Sequence, residues 1–494
     1  MAKARLGIRY ALPPTGMHRF ASPRPLPAGT APQPLGHPAP DAWQQQAPDA
    51  LFDGGPPRAM DEDCLFLNLW MPEGCSANQP RPVLVHLFGG GFQGGSPSDL
   101  AHDGAALADA TGCVVVRIGF RLGALGFLYL GAAAPANLAL LDATLALQWV
   151  QQHIATFDGD PAQVTVFGLS SGAFMIGALL AMPDARACFR GAWMQSGSAS
   201  RILTPAQAAT VTADLCHRLG LADGDLAGLQ RMPAADIVAL QQQVLSADVG
   251  DRNGPGGHTF GVVLDGHTLP LHPLQAVAQG DLCGHGLLLM STHDETRLWF
   301  RNGAMRPLAD AAAWQAEVAR YTTSQAAPAL CASYMAGAAA QPADRNRLAA
   351  LRERFLTHAI YRVPALRTAL AQARTGGRAW LARFDWAPGG AAGDWADHGS
   401  AHAFDEPFVW GRPDPAHHRF VTGAADELAL AEKLVKALGD FAHGRGPGWP
   451  ALDTIEAGAH RLAARHPDDD EADAMAVWSR LGLLQPEAVL LPGR

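Results

Sequence analysis

The sequence predicts an α/β protein with a central, mostly parallel sheet flanked by helices. Three observations carry that reading. Short apolar runs alternate with helical patterns from Cys64 onward, one such run leads directly into a serine flanked by glycines, and another ends in a glycine-rich turn. Residues 65–70, 83–88, 114–118 and 164–167 have strand character, rich in Val, Leu and Phe. Between the last two, residues 140–154 place Leu141, Leu145, Trp149 and Val150 at helical spacing. Strands separated by helices are parallel and buried on both faces, which explains their near-continuous apolar character.

Residues 21–60, rich in Pro, Ala and Gln and without periodicity, are expected to form a long surface loop over the core. Near the other end, Leu428, Ala431, Leu434, Val435, Leu438 and Phe441 form the apolar stripe of a helix that ends at Gly444 and packs on the sheet. The acidic run Asp468-Asp469-Asp470-Glu471 reads as a solvated helix start. No internal repeat is visible. The chain is expected to form one domain over 1–494, with helical insertions over roughly 200–290 and 300–390 around the site.

With 48% hydrophobic and 17% charged residues, a chain of 494 residues can bury a large core. A net charge of −9 with scattered basic residues argues against nucleic acid or an anionic membrane as partner. The apolar stretch 122–134 is too short to span a bilayer. The first residues run into Gly7 and Pro13-Pro14 instead of an apolar signal core, and seven cysteines form no obvious disulfide framework. A cytoplasmic monomer or small homo-oligomer is expected.

The chemistry is concentrated in two turns. Residues 164–167 lead into Gly168-Leu169-Ser170-Ser171-Gly172 and then a helical segment, 173–182. A serine on so tight a strand-to-helix turn crowds the positions two before and two after it, which is why both are glycine. The pattern alone arises by chance about 0.2 times in a chain of this composition; its strand and helix context raises it above that level. Upstream, residues 83–88 end in Gly89-Gly90-Gly91-Phe92, a turn that exposes backbone amides. The N–H groups of Gly90, Gly91 and Ser171 are candidate donors to a tetrahedral oxyanion. Gly89, Gly91 and Gly94 also satisfy a dinucleotide-loop pattern, but Pro97 and a polar segment follow where a helix would have to open, so no cofactor is expected.

A serine nucleophile needs a base and a group to orient it. Nineteen histidines leave that choice open on composition and spacing alone. His398 and His402 stand at helical spacing, but Gly399-Ser400 between them and the lack of a glutamate after the first histidine argue against a zinc helix, and no metal is expected.

At this point the chain resembles the type-B carboxylesterase family, which includes bacterial carboxylesterases and cholinesterases. Residues 6–20 are similar to its early G-I-P-Y-A-x-P-P-x-G-x-x-R-F stretch, and 62–68 to its E-D-C-L-x-L-N signature. Residues 121–127, 137–142, 149–150 and 157–161 continue the match up to Ser170. Asp294-Glu295 resembles the acid motif, residues 402–409 the histidine motif H-x-x-E-x-P-F-V, and Trp449-Pro450 the closing W-P. The resemblance implies an α/β-hydrolase fold and a serine carboxylic-ester hydrolase acting through an acyl-enzyme on small or medium esters. Within it Ser170 is the nucleophile, Glu295 the acid and His402 the base, in the chain order this fold uses. Asp294 and His398 are the competing assignments. A binding protein with a vestigial site, and an amidase or lipase using the same residues, are the alternatives.

Several positions depart from the family pattern. Phe88 stands where His is usual, Leu169 where Glu is usual, Thr296 where Gly is usual and Gly119 where Asn is usual. The resemblance also implies that Cys64 lacks the disulfide partner of secreted relatives, since no cysteine precedes it, and that the family's small N-terminal strands are absent or trimmed. Phe174, Trp299 and Phe300 lie near the proposed catalytic residues in sequence, as pocket lining or as core.

Overall fold

A computed structural model describes residues 1–45, 51, 55–102, 104–248, 259–337, 345–452, 459–463 and 471–485. Its strands are β1 (Lys3–Arg9), β2 (Ala11–Leu12), β3 (Arg24–Pro25), β4 (Phe66–Met71), β5 (Arg81–Leu87), β6 (Val114–Ile118), β7 (Gly159–Leu169), β8 (Gly191–Gln195), β9 (Gly286–Thr292), β10 (Arg378–Phe384) and β11 (His460–Leu462). Nine of them form one sheet in the order β1-β4-β6-β5-β7-β8-β9-β10-β11, and β2 pairs with β3. From β6 to β11 every neighbour is parallel; β4 runs antiparallel to both of its neighbours, β1 and β6.

Strand periodicity explains how the sheet is covered. Val83, Val85 and Leu87 face one apolar layer together with Val114, Val116, Val164 and Val166, against the helices Leu138–His153 and Ser171–Leu179. Leu84, Val115 and Phe167 face the opposite layer, which includes Leu107 of the helix Gly104–Thr111 and Leu434, Val435, Leu438 and Phe441 of the helix Ala425–Ala442. Helices on both faces bury the central runs of β4, β5, β6 and the C-terminal half of β7, so these runs are mainly apolar.

The four strands and two long helices read from periodicity are present within a few residues of their expected bounds. The sequence reading did not mark β8, β9 or β10. β9 and β10 fall inside the ends of the segments read as helical insertions, and the helix Val363–Arg374 packs on both of them. At the N-terminus, where no strand was read, Lys3–Arg9 is an edge strand paired with β4. Residues 21–60 are less detached than a surface loop, since Pro34 bridges to Ile8 and Arg24–Pro25 pairs with β2. Within that segment 46–50 and 52–54 lie outside the described residues, as do Asp468, Asp469 and Asp470; Glu471 opens the helix Glu471–Arg480. Cys64 is buried and free, as are most of the cysteines.

Candidate active site

β7 lies between β5 and β8, and the chain turns from its last residue, Leu169, into the helix Ser171–Leu179 with Ser170 at the junction. Ser170 has φ 55° and ψ −122°, a conformation that costs a non-glycine residue strain and persists only where the surroundings impose it. They do so through two hydrogen bonds: Ser170 N–H donates to Gln195 O (2.8 Å), and Phe174 N–H to Ser170 O (2.9 Å). The flanking glycines are sterically required. A Cβ at Gly168 would lie 2.4 Å from Leu87 O, and one at Gly172 2.1 Å from the same oxygen.

The glycine-rich turn after β5 passes against this elbow. A Cβ at Gly89 would be 3.1 Å from Leu169 O. Gly90 and Gly91 adopt φ 120° and 63°, and Gln93 and Gly94 donate to Gly90 O at 3.1 Å each, which curls the loop. Gln44 holds its far side with two 2.9 Å bonds, to Gly95 N and O. Among the described residues, the N–H groups of Gly90, Gly91 and Ser171 donate to no protein acceptor. Phe88 stacks on Phe120 at 4.3 Å, so an apolar ring pair fills the place before the glycines.

Glu295 follows β9, two strands along from β7, and is fully buried. Its Oε1 accepts from Thr292 N–H (2.8 Å) and from the Ser196 hydroxyl (2.6 Å), and its Oε2 meets His402 Nδ1 at 2.6 Å. The His402 amide donates to Glu295 O at 3.3 Å. One imidazole nitrogen is thereby committed to a carboxylate, which fixes ring orientation and leaves Nε2 outside that contact. The rings of Trp299 and Tyr361 approach the His402 ring at 4.8 and 5.2 Å. Phe174 is buried beside Tyr361, while Phe300 packs under the Arg352 guanidinium.

The competing candidates have other partners. Asp294 Oδ2 accepts from Ser400 N–H (3.0 Å), and its own amide donates to Ser400 O (2.8 Å), so it anchors the backbone two residues before His402. Burial opposes its charge, but His293 and Arg297 beside it hold its pKa below the ordinary carboxylate range. His398 Nδ1 faces Asp394 O at 3.2 Å, and His398 stacks near Trp395. Thr296 uses its hydroxyl on Glu353 O (2.7 Å), a contact that the family's glycine lacks.

Ser196 and Asp405 were not picked out from the sequence. Asp405 is buried and accepts from Gln195 Nε2 at 2.9 Å; burial, with Glu295 and Glu406 nearby, lifts its pKa to about 7. The signal for Ser196 was present as the polar Gln195-Ser196-Gly197-Ser198 after the apolar 191–194 run, which reads as a strand end.

A doubly covered, mainly parallel sheet with a strained serine at the carboxyl end of a central strand, and a buried Glu–His pair two strands away, defines an α/β-hydrolase. The carboxylesterase family model matches residues 2–456. The para-nitrobenzyl esterase of Bacillus subtilis (strain 168) is 32% identical over 467 residues, covering 90% of this chain and 88% of that protein. The acetylcholinesterase of Gallus gallus is 44% identical over 206 residues, 40% of this chain and 26% of its own. Among solved structures, a PNB esterase has a TM-score of 0.80 at 30% identity, covering 91% of this chain and 90% of its own. A carboxylesterase of Geobacillus stearothermophilus has a TM-score of 0.77 at 29% identity, covering 97% and 96%. The chain belongs to the type-B carboxylesterase family and is a serine carboxylic-ester hydrolase. Among the described residues no helix is long and apolar enough to cross a membrane.

Proposed function

We propose that Ser170, His402 and Glu295 form the catalytic triad, with the amides of Gly90, Gly91 and Ser171 as the oxyanion hole. The Ser170 hydroxyl oxygen attacks the ester carbonyl carbon while His402 Nε2 takes its proton, and the carbonyl oxygen becomes an oxyanion bound by those amides. Collapse of this intermediate breaks the bond to the alkoxy oxygen, which leaves as the alcohol with the proton returned from His402. An acyl group remains on Ser170. Water then repeats the sequence, His402 accepting its proton and returning it to Ser170 as the carboxylic acid departs. Glu295 holds the imidazole in one tautomer and stabilises its charged form throughout.

The observation that carries this reading is the 2.6 Å contact between Glu295 Oε2 and His402 Nδ1 at the end of the sheet where Ser170 stands. The substrate class is small or medium carboxyl esters, including p-nitrobenzyl esters, which the name of the Bacillus relative assigns to that protein. The aromatic rings beside His402 suit such alcohol or acyl groups. The seven free cysteines support a reducing, cytoplasmic compartment, and the net charge of −9 supports action without nucleic acid.

The test is hydrolysis of p-nitrophenyl acetate and of a p-nitrobenzyl ester, before and after treatment with an organophosphate, with mass analysis of the Ser170 peptide. Turnover lost in step with phosphorylation of Ser170, and absent in Ser170→Ala, is the expected result. Turnover retained by Ser170→Ala would overturn the assignment.

A further inference from the structure

We propose that His102 and Glu406 form a charged latch that holds the loop bearing His402 against the segment continuing from the glycine-rich turn, making both positioning residues for the hydrolysis. This rests on the reading of His402 as the base. Neither residue belongs to the triad or the oxyanion hole, and the pairing was not read from the sequence.

Glu406 stands four residues after His402 and opens the short helix Glu406–Val409, its amide donating to Ala403 O at 3.2 Å. A displacement of Glu406 therefore moves the turn on which His402 sits. Its Oε1 lies 3.2 Å from His102 Nε2, and the other ring nitrogen, Nδ1, lies 3.4 Å from Asp99 Oδ2. The His102 and Glu406 side chains are 7% and 5% exposed, so water screens the pair poorly. On the other side of the latch, Arg117 on β6 binds three successive parts of the segment that carries His102. Its guanidinium donates to Ser96 O (2.8 Å), Asp99 O (2.8 Å) and His102 O (2.5 Å). That segment follows directly on Gly94 and Gly95 of the glycine-rich turn. The contacts thus run from the oxyanion turn, through a segment tied to the sheet by Arg117, across His102 to Glu406 and the His402 loop.

The surroundings favour a positive charge on His102. Burial works against that charge, but Glu406 and Asp99 outweigh it and lift its pKa to about 9. Facing it from other elements are Arg117 on β6, His86 on β5, His418 in the loop before the helix Ala425–Ala442, and the Trp410 ring. Burial, with Arg117 and His102 nearby, holds His86 well below the usual histidine range; burial, with His102 nearby, pushes His418 down to about 3. The charge is therefore concentrated on the histidine that faces both carboxylates. Because the His102 pKa is raised in the folded state, the pair stays charged in the folded protein until pH rises through about 9, and its contribution to stability, full below the ordinary histidine pKa, is lost over that same rise.

The test measures kcat and KM for p-nitrophenyl acetate from pH 6 to 10, corrected for spontaneous hydrolysis, in the wild type, His102→Gln, Glu406→Gln, the double variant and Glu406→Asp. Thermal melts and far-UV circular dichroism confirm folding. The expected result is a wild-type kcat that declines near pH 9, a roughly tenfold lower kcat with KM within twofold in each folded single variant, and loss of the alkaline limb. The double variant, which removes the Glu406 carboxylate together with the His102 cation, is expected to be no worse than the singles; Glu406→Asp is expected to retain part of the rate and the limb. Wild-type kcat and pH profile in either folded Gln variant, or additive losses in the double, would overturn the latch. A Ser170→Ala or His402→Ala control that kept turnover would instead overturn the catalytic assignment beneath it.

Discussion

The Ser196 hydroxyl and His402 Nδ1 approach the two different oxygens of the same buried Glu295 carboxylate, each at 2.6 Å. Glu295 is thus clamped between the end of β8 and the His402 loop, with the Thr292 amide as a third donor. A carboxylate held by three donors keeps a fixed position, so in the proposed mechanism no reorganisation has to accompany the charging of the imidazole.

Removal of the acceptor should be severe. Glu295→Gln is expected to lower kcat on the order of 10³-fold with little change in KM, because an amide can hold the ring in the wrong tautomer and cannot stabilise the imidazolium. Steady-state kinetics on p-nitrophenyl acetate checks it; a loss below tenfold would remove Glu295 from the triad.

Ser196→Ala tests the second clamp. A hydrogen bond to a charged group is worth about 1.5–3 kcal/mol, and the Thr292 amide still holds the same oxygen. A kcat reduction of roughly tenfold, with unchanged KM, is the expected outcome in the same assay.

Asp294 predicts a difference in acid stability. Its pKa is depressed in the folded state, so it contributes stability above the ordinary carboxylate range that is lost as pH falls through its folded pKa. Thermal melts at pH 7 and at successively lower pH should therefore show Asp294→Asn less stable than the wild type at neutral pH, with the gap narrowing as the wild-type carboxylate protonates.

Gly172→Ala isolates the elbow's steric requirement. A Cβ 2.1 Å from Leu87 O forces the helix start away from β5, at a cost on the order of 3 kcal/mol. A lower melting temperature and at least a hundredfold loss of kcat are expected, and a melt and rate equal to wild type would contradict the geometry.

The Arg121–Asp142 pair offers a test away from the reacting atoms. Both are buried, joined at 2.6 and 2.8 Å, and Asp142 also accepts from the Arg121 amide at 3.0 Å. Asp142→Ala leaves the guanidinium buried without this partner and should cost about 3–5 kcal/mol, read as the shift in urea midpoint.

The central strands and the elbow were legible because their signals are local. A buried parallel strand reads as an apolar run, and a serine on a strand-to-helix turn demands glycine on both sides. β8, β9 and β10 carry apolar runs as well, at 191–194, 287–290 and 379–382. They lie in long segments otherwise dominated by helices, and periodicity alone does not separate a short buried strand from a buried helical stretch. The N-terminal strand β1 was missed for a different reason. As an edge strand it is exposed over Lys3–Arg5, so it has no apolar run to announce it.

The sequence by itself determined the fold class, the tight turn at Ser170 and the glycine-rich turn after β5, since each rests on needs expressed within a few consecutive residues. Family resemblance ranked Glu295 and His402 above their neighbours, but composition and spacing left nineteen histidines in contention. Only the tertiary structure decided which carboxylate reaches which ring nitrogen, why Asp294 anchors Ser400 instead, and that Ser196 meets Glu295 and His102 meets Glu406. Those contacts join residues from tens to hundreds of positions apart. Local propensity has no term for such distances, which are set by how the sheet stacks its strand ends.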